Sequence, residues 1–399
     1  MFDWHEPLIY LFVISIAIVG YAYVGYPLVI WILSKCFGKS TAAPVVDSSD
    51  LPTVSLLIAA HNEEEEIAAR IENALALRYP RGKLEIVIAS DGSTDGTNAI
   101  VSRYADRGVH LLAFPINRGK AATLSAAVPF LTGDVIVLSD ANTRMDPDAV
   151  RHLASWFADA NVGVVCGRLN LVDAATGRNV DGMYWKYETF LKRCESRLGA
   201  LLGCNGAIYA IRKKLFTAVP SQAIIEDFVI PLQARRVSRC HIIYDPDARA
   251  SEETAPSIAD EFRRRVRLGA GGYQSVALLW PLLNPRHGWV SLTFLSHKVL
   301  RWMSPFALIA ALFANLCLLG IRGFDYMLAG QFGLYALAVV APWLPRRPFP
   351  FRIARLTTMF AAMNLALLFG FLRWISGSQG SAWRRTRRAE TGVMKAEAA

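Results

Sequence analysis

The sequence predicts an α/β domain built on a largely parallel sheet and carried between apolar helices near both ends of the chain. Three observations predict it. Pro7 to Ser34 contains no charged residue and exceeds the roughly 20 residues a helix needs to cross the hydrocarbon of a bilayer. From about Leu51, short apolar runs alternate with helical patterns over about 200 residues, the pattern of strands joined by crossover helices. Ser304 to Leu319, Tyr326 to Leu344 and Leu356 to Phe371 are again long and apolar.

Composition agrees. The chain is 53% hydrophobic and 19% charged, with a mean hydropathy of +0.29, against about 25% charged residues in an ordinary soluble domain. The first apolar segment is expected to be an uncleaved signal anchor. Asp3 and Glu6 precede it where a cleaved signal has basic residues, and Lys35 stands before Cys36 where a lipoprotein has a small residue. Lys35 and Lys39 follow it, which by the positive-inside tendency puts the next domain in the cytoplasm, at a bacterial-type inner membrane.

The expected organisation is an anchor over 1–35, a linker over 36–50, the α/β domain over 51–255, an interfacial amphipathic segment over 256–290, transmembrane helices over 291–376 and a basic tail over 377–399. Three late crossings would leave the tail outside, whereas Arg384, Arg385, Arg387 and Arg388 argue for inside. Either one stretch is interfacial, or the run from Trp289 to Trp302 adds a crossing despite His297, Lys298 and Arg301.

Strands are expected over Val54–Ala60, Leu84–Ser90, Val109–Phe114, Asp134–Ser139, Gly163–Leu171, Cys204–Ala210 and His241–Tyr244. In open parallel sheets ligands bind beyond the carboxyl ends of the strands, and that is where the polar clusters lie. After the first strand comes His61-Asn62-Glu63, with Asn62 a candidate helix N-cap and Glu65 its capping-box partner. After the second comes Ser90-Asp91-Gly92-Ser93-Thr94-Asp95-Gly96-Thr97. A calcium loop is excluded there, since Ser102 holds the twelfth position, where a bidentate glutamate is required. An acid in that place can accept hydrogen bonds from a base or ribose.

Asn117-Arg118-Gly119-Lys120 supplies a cation suited to a diphosphate, or else an ordinary solvated loop lysine; its glycine spacing is not a Walker loop. Ser139-Asp140-Ala141-Asn142 ends a wholly apolar strand in two oxygen-bearing residues one apart, either a turn or ligands for a hard cation such as Mg2+ or Mn2+. Ile225-Glu226-Asp227-Phe228 sets two carboxylates among apolar residues, either a helix first turn or an acid whose pKa burial raises into a useful range. Tyr184, Trp185 and Tyr187 stack on a sugar ring or simply pack.

The net charge of +10 suits nucleic acid, an anionic membrane surface or a polyanion. Arg263, Arg264, Arg265 and Arg267 stand beside the membrane segments, where anionic lipid attracts them, so no nucleic-acid partner is expected. The six cysteines include no CxxC pair, which suggests neither a zinc site nor a disulfide framework.

Taken in order and spacing, HNEEEE, SDGSTDGT, NRGK, SDAN and IEDF resemble the family 2 glycosyltransferases with a GT-A fold, and more narrowly the membrane-integrated branch of poly-N-acetylglucosamine, cellulose and hyaluronan synthases. The resemblance covers about Leu51 to Gly272. It implies that His61, Glu63 and Asp91 hold the uridine of a UDP-sugar donor, that Lys120 lies near its diphosphate, and that Asp140 and Asn142 stand in the DxD position and bind Mg2+ or Mn2+. It further implies that Asp227 is the catalytic base with Glu226 in support, that Asn205, Gly206 and Ala207 face the acceptor, and that Arg264 and Arg267 belong to the late donor-side motif of processive synthases.

Two departures stand out. Asn142 replaces the second aspartate, keeping an oxygen but losing a charge. Leu268 replaces the tryptophan of the late motif and removes an aromatic platform for the glycan end. The expected activity is inverting transfer from a UDP-sugar to a glycan or lipid-linked acceptor in contact with membrane lipid, with any accessory subunit left open. Single-sugar transfer to polyprenyl phosphate and a catalytically silent nucleotide-sugar-binding membrane protein are the alternatives.

Overall fold

A computed structural model describes residues 5–39, 43–172, 182–253, 258–321, 323–344 and 349–380. The arginines Arg384, Arg385, Arg387 and Arg388 lie outside the described residues. Among the described residues two compact units are present, one formed by 5–35 and 262–379, the other by 36–261.

The helical unit starts with α1 (His5–Gly20), a π-helical turn at Tyr21–Gly25 and α2 (Tyr26–Cys36), which run on as a single 32-residue helix. In the α/β unit the order is β1 (Val54–Ala60), α3 (Ile67–Leu75), β2 (Leu84–Asp91), α4 (Thr97–Ser102), β3 (Val109–Phe114), α5 (Lys120–Ala127) and β4 (Val135–Asp140). There follow β5 (Arg144–Met145), α6 (Ala149–Ser155), β6 (Val162–Val172), α7 (Met183–Arg197), β7 (Tyr209–Arg212), α8 (Glu226–Ser238) and β8 (His241–Glu253).

These strands form one sheet in the order β3-β2-β1-β4-β7-β6-β8-β5. The pairs β1–β2, β1–β4, β2–β3 and β6–β8 are parallel, while β7 runs antiparallel to both β4 and β6, and β5 antiparallel to β8. The sheet is therefore mixed but mostly parallel, as the alternating pattern implies. Every residue of β1 is buried, because helices cover both faces, and a strand so covered reads as a continuous apolar run. On one face Leu56, Ile58, Ile86, Ile88, Val135 and Val137 pack with Ile67 and Ile71 of α3 and with Val150 and Leu153 of α6. On the other, α5 lies against β1 and β2.

Two local expectations are corrected. The segment 204–208 is not strand: β7 begins only at Tyr209, because the backbone N–H groups of Cys204 and Gly206 donate to the start of α8 and are lost to a ladder. Asn62 does not cap a helix. It adopts a left-handed backbone, φ 55°, its side chain accepts from the N–H of Thr94, and α3 starts only at Ile67. Two further features were not anticipated, the short β5 and the extension of β8 to Glu253.

The rest of the helical unit comprises α9 (Ile258–Leu279), two 3-10 turns over Trp280–Leu283 and Pro285–His287, α10 (Trp289–Thr293), a π-helical turn at Phe294–Val299, α11 (Leu300–Cys317), α12 (Phe324–Val340) and α13 (Phe349–Ile375). Trp289–Cys317 is one continuous 29-residue helix, so the run from Trp289 to Trp302 and the apolar stretch that follows it belong to the same helix. Among the described residues four helices are long and apolar enough to cross a membrane: His5–Cys36, Trp289–Cys317, Phe324–Trp343 and Ala354–Ile375.

Several polar residues of the long apolar helices are buried, among them Ser15, His297, Arg301, Asn315 and Asn364. His297 is 2% exposed and stacks on Tyr26, and Arg301 is 5% exposed and lies over the ring of Tyr23. Ile14, Leu28, Ile309, Phe313, Val339 and Leu372 point outward, the inside-out distribution that a lipid surround stabilises.

Candidate active site

The site is assembled at the carboxyl ends of β1, β2 and β4 by loops that satisfy one another's backbone. After β1, the N–H groups of Asn62, Glu63 and Glu64 donate to Ser93 Oγ, Thr97 Oγ1 and Asp95 Oδ2 at 3.1, 2.8 and 3.1 Å. In return Glu64 Oε2 accepts from the N–H of Gly96 at 2.9 Å. The two polar motifs seen in sequence are thus one interlocked pair of loops. His61 Nδ1 lies 2.7 Å from the Asp91 carbonyl, which can only accept, so Nδ1 carries the proton and Nε2 accepts from the Asn117 amide at 3.0 Å.

Asp91 is fully buried. Its two carboxylate oxygens accept from the N–H groups of Arg118 and Gly119 at 2.9 and 2.8 Å, so this acid pins the NRGK loop. Gly92 is required beside it: φ is +64° and an added Cβ would lie 2.4 Å from Asn117 N. Asp91→Asn keeps one acceptor and turns an amide N–H toward a backbone donor. It is expected to cost about 1–3 kcal/mol, read as a fall of several degrees in Tm on thermal unfolding.

That loop delivers Lys120, the first residue of α5. Its Nζ lies 2.6 Å from Asp140 Oδ1 and 2.7 Å from Glu226 Oε1, so one ammonium joins the SDAN and IEDF motifs across 86 residues of sequence, the difference between 226 and 140. Burial works against its charge, but Asp140, Glu226 and Asp227 more than offset this and hold its pKa above the ordinary lysine value.

Asp227 is half-buried in the first turn of α8. Its Oδ2 accepts from the N–H of Gly206 at 2.9 Å and its carbonyl accepts from the N–H of Cys204. Burial, reinforced by the charges of Glu226 and Asp140 and opposed by Lys120 and the Gly206 N–H, pushes its pKa up to about 6. Both acids of the pair therefore take part in the cluster, Glu226 through Lys120 and Asp227 through Gly206. Three carboxylates to one ammonium leave the site net negative.

Asp140 ends β4 and Asn142 lies in the turn after it. The Asn142 amide donates to Glu252 Oε1 at 2.6 Å, which leaves its carbonyl oxygen as the remaining donor atom. Among the described residues no group of three or more His, Cys, Asp or Glu side chains is placed to hold a metal ion. One carboxylate and one carbonyl fit Mg2+ or Mn2+, which keep few protein ligands and draw others from substrate phosphates.

The remaining sequence candidates are more dispersed. Glu63 lies in the loop after β1 with its backbone tied to Thr97. Asn205 bridges Lys192 and the Gly167 carbonyl. Ala207 is buried in the core, its carbonyl accepting from Ser139 Oγ. Trp185 packs against the core and donates to the Leu169 carbonyl. Arg264 and Arg267 lie on α9 in the helical unit.

Two residues escaped the sequence reading. Arg70 is fully buried beneath the SDAN loop and donates to the Asp140 carbonyl, Ser139 Oγ and Asn73 Oδ1. Its position on the apolar stripe of α3, with Ile67, Ile71 and Ala74, is the signal that could have found it. Glu252, at the end of β8, carried no such signal.

An eight-stranded mixed sheet with an acidic cluster and a lysine at its carboxyl edge defines a nucleotide-diphospho-sugar transferase fold of the GT-A type. The mannosyltransferase PcManGT from Pyrobaculum calidifontis, solved in complex with GDP-Man and Mn2+, shares that fold with a TM-score of 0.69 at 23% identity, over 92% of this chain and 99% of that one. The family profile described as "Glycosyl transferase family 2" matches residues 55–218, and these residues form a glycosyltransferase domain of family 2.

The poly-beta-1,6-N-acetyl-D-glucosamine synthase of Staphylococcus aureus (strain COL) is 26% identical over 244 residues, 58% of this chain and 57% of that protein. The probable glycosyltransferase YdaM of Bacillus subtilis (strain 168) is 27% identical over 236 residues, 56% of each chain. The match thus spans little more than half the length of these curated relatives.

Proposed function

We propose that the protein is a membrane-bound inverting glycosyltransferase that moves a sugar from a UDP-sugar to a hydroxyl of a glycan or glycolipid acceptor, in the synthesis of an exopolysaccharide or cell-envelope glycan. The observation that carries this reading is Lys120 bridging Asp140 and Glu226 next to a half-buried Asp227 of raised pKa. A diphosphate needs cations, an acceptor hydroxyl needs a base, and the two provisions lie side by side.

In this mechanism Asp227, held by the Gly206 N–H, removes the acceptor proton as the acceptor oxygen bonds to the anomeric carbon. The bond from that carbon to the diphosphate breaks on the opposite face, and its electron pair leaves with UDP. Asp140 and the Asn142 carbonyl would hold Mg2+ or Mn2+, which would supply positive charge where the leaving diphosphate becomes more negative. Lys120 adds a fixed ammonium there, and such preorganised charge is usually the largest contribution to rate. Asp91 serves by fixing the loop that presents Lys120. The interlocked loops carrying His61 and Glu63 receive the nucleoside.

The four apolar helices support residence in a membrane, with the α/β domain on the cytoplasmic side where nucleotide-sugars are made. Incubating purified protein with single labelled UDP-sugars, with GDP-mannose alongside, plus Mg2+ or Mn2+, tests the reading. Transfer from a UDP-sugar into a glycan-sized product is expected; absence of transfer from every donor would leave the silent-binder alternative standing. Leu268 in place of the late tryptophan favours a second reading, single-sugar transfer to polyprenyl phosphate, which yields a lipid-extractable product bearing one sugar.

A further inference from the structure

Within the cation site just proposed, on which this inference rests, Asn142 poses a problem that an aspartate would not. A carboxylate offers two equivalent oxygens, whereas an amide offers one oxygen and one NH2, and a half-turn exchanges them. Only a fixed acceptor on the nitrogen side keeps the oxygen available to a cation.

Glu252 is that acceptor. Its Oε1 lies 2.6 Å from Asn142 Nδ2, within the range of charge-assisted hydrogen bonds. The backbone that carries this carboxylate is paired on both sides. Its neighbour Ser251 pairs with Arg144 of β5 on one side and with Asn170 of β6 on the other, and Glu252 pairs with Leu171. Strand β5 is only two residues long, yet its pairing with β8 is what sets Glu252 opposite the turn that carries Asn142.

We propose that Glu252 is a positioning residue for the cation site: by accepting from the Asn142 amide it turns the Asn142 carbonyl oxygen toward the cation shared with Asp140. A chain lacking the second aspartate of the motif thereby retains two oriented oxygen donors. Partners of this kind, one step removed from a metal, typically change its affinity 10- to 100-fold when removed.

The test is Mn2+ binding in the presence of UDP, followed by the loss of the free-ion EPR signal, on full-length protein in detergent with thermal melting as a check on folding. Glu252→Ala is expected to weaken Mn2+ binding about tenfold or more. Glu252→Gln, whose own carbonyl can still accept from the amide, stays within about threefold of wild type. In an Asn142→Asp background Glu252→Ala causes no loss of Mn2+ binding, because a carboxylate needs no orienting and removing Glu252 relieves the repulsion between two carboxylates. Wild-type affinity in Glu252→Ala, an equal loss in Glu252→Gln, or the same loss in the Asn142→Asp background would each overturn the proposal. Asp140→Asn separates the two levels: undiminished Mn2+ binding in that variant would sink the cation site itself, whereas loss there without any effect at Glu252 would sink only the positioning role.

Discussion

Replacing Asp227 by asparagine lowers sugar transfer by about a hundred- to ten-thousand-fold, the usual contribution of a positioned base, while UDP and Mn2+ bind nearly as in the parent protein. The amide keeps the size and the hydrogen bond from the Gly206 N–H but cannot take a proton. Initial-rate measurements with labelled donor, together with nucleotide binding by calorimetry, check both halves. Wild-type-like turnover would remove Asp227 from the reaction.

The same residue sets a pH signature. Burial first, then Glu226 and Asp140, raise its pKa to about 6, so the rate falls about tenfold per unit as pH drops below that value, since only the ionised form accepts a proton. Stability moves the other way. A folded-state pKa above the unfolded value means that the folded form binds the proton more tightly. The stabilisation from this site is therefore fully present below the unfolded carboxylate pKa and lost as pH rises through about 6. At neutral pH the asparagine variant should accordingly melt no lower than wild type, which separates lost chemistry from lost folding.

The second large effect is expected at Asp140. Asp140→Asn removes the one carboxylate that the SDAN motif offers a cation and one of the two anions that fix Lys120. Mn2+ binding should be lost and transfer should fall by about a thousandfold, the scale seen when preorganised charge at a leaving group is removed. Raising Mg2+ or Mn2+ should not restore the rate. Lys120, still paired with Glu226, keeps the site folded, so melting should change little compared with Asp91→Asn, whose buried carboxylate has two backbone donors to satisfy.

Much of this was legible from residue order. Strand β1 falls where its apolar run places it, because a strand covered on both faces must be apolar throughout; β3, at the sheet edge and only partly buried, also falls where its run of Val109 to Phe114 places it. The strand before Tyr209 was displaced for the opposite reason. Cys204 to Ala210 was expected as a strand, but the N–H groups of Cys204 and Gly206 serve Asp227, and a hydrogen-bond destination leaves no trace in composition. Asn62 likewise has the composition of a cap, yet its side chain is committed to Thr94, a partner on another loop.

By itself, the sequence determined the α/β class, the apolar helices and the positions of the acids and the lysine, since hydrophobic periodicity and the ends of strands are local properties. Only the tertiary structure decided that Lys120 would join Asp140 to Glu226, that Asp91 would be spent on holding a loop, and that Glu252 would meet Asn142. Those outcomes depend on strand order and register, which bring together residues far apart in the chain. The electrostatic energy of such meetings falls with distance and rises with burial, and neither quantity exists until the chain has folded.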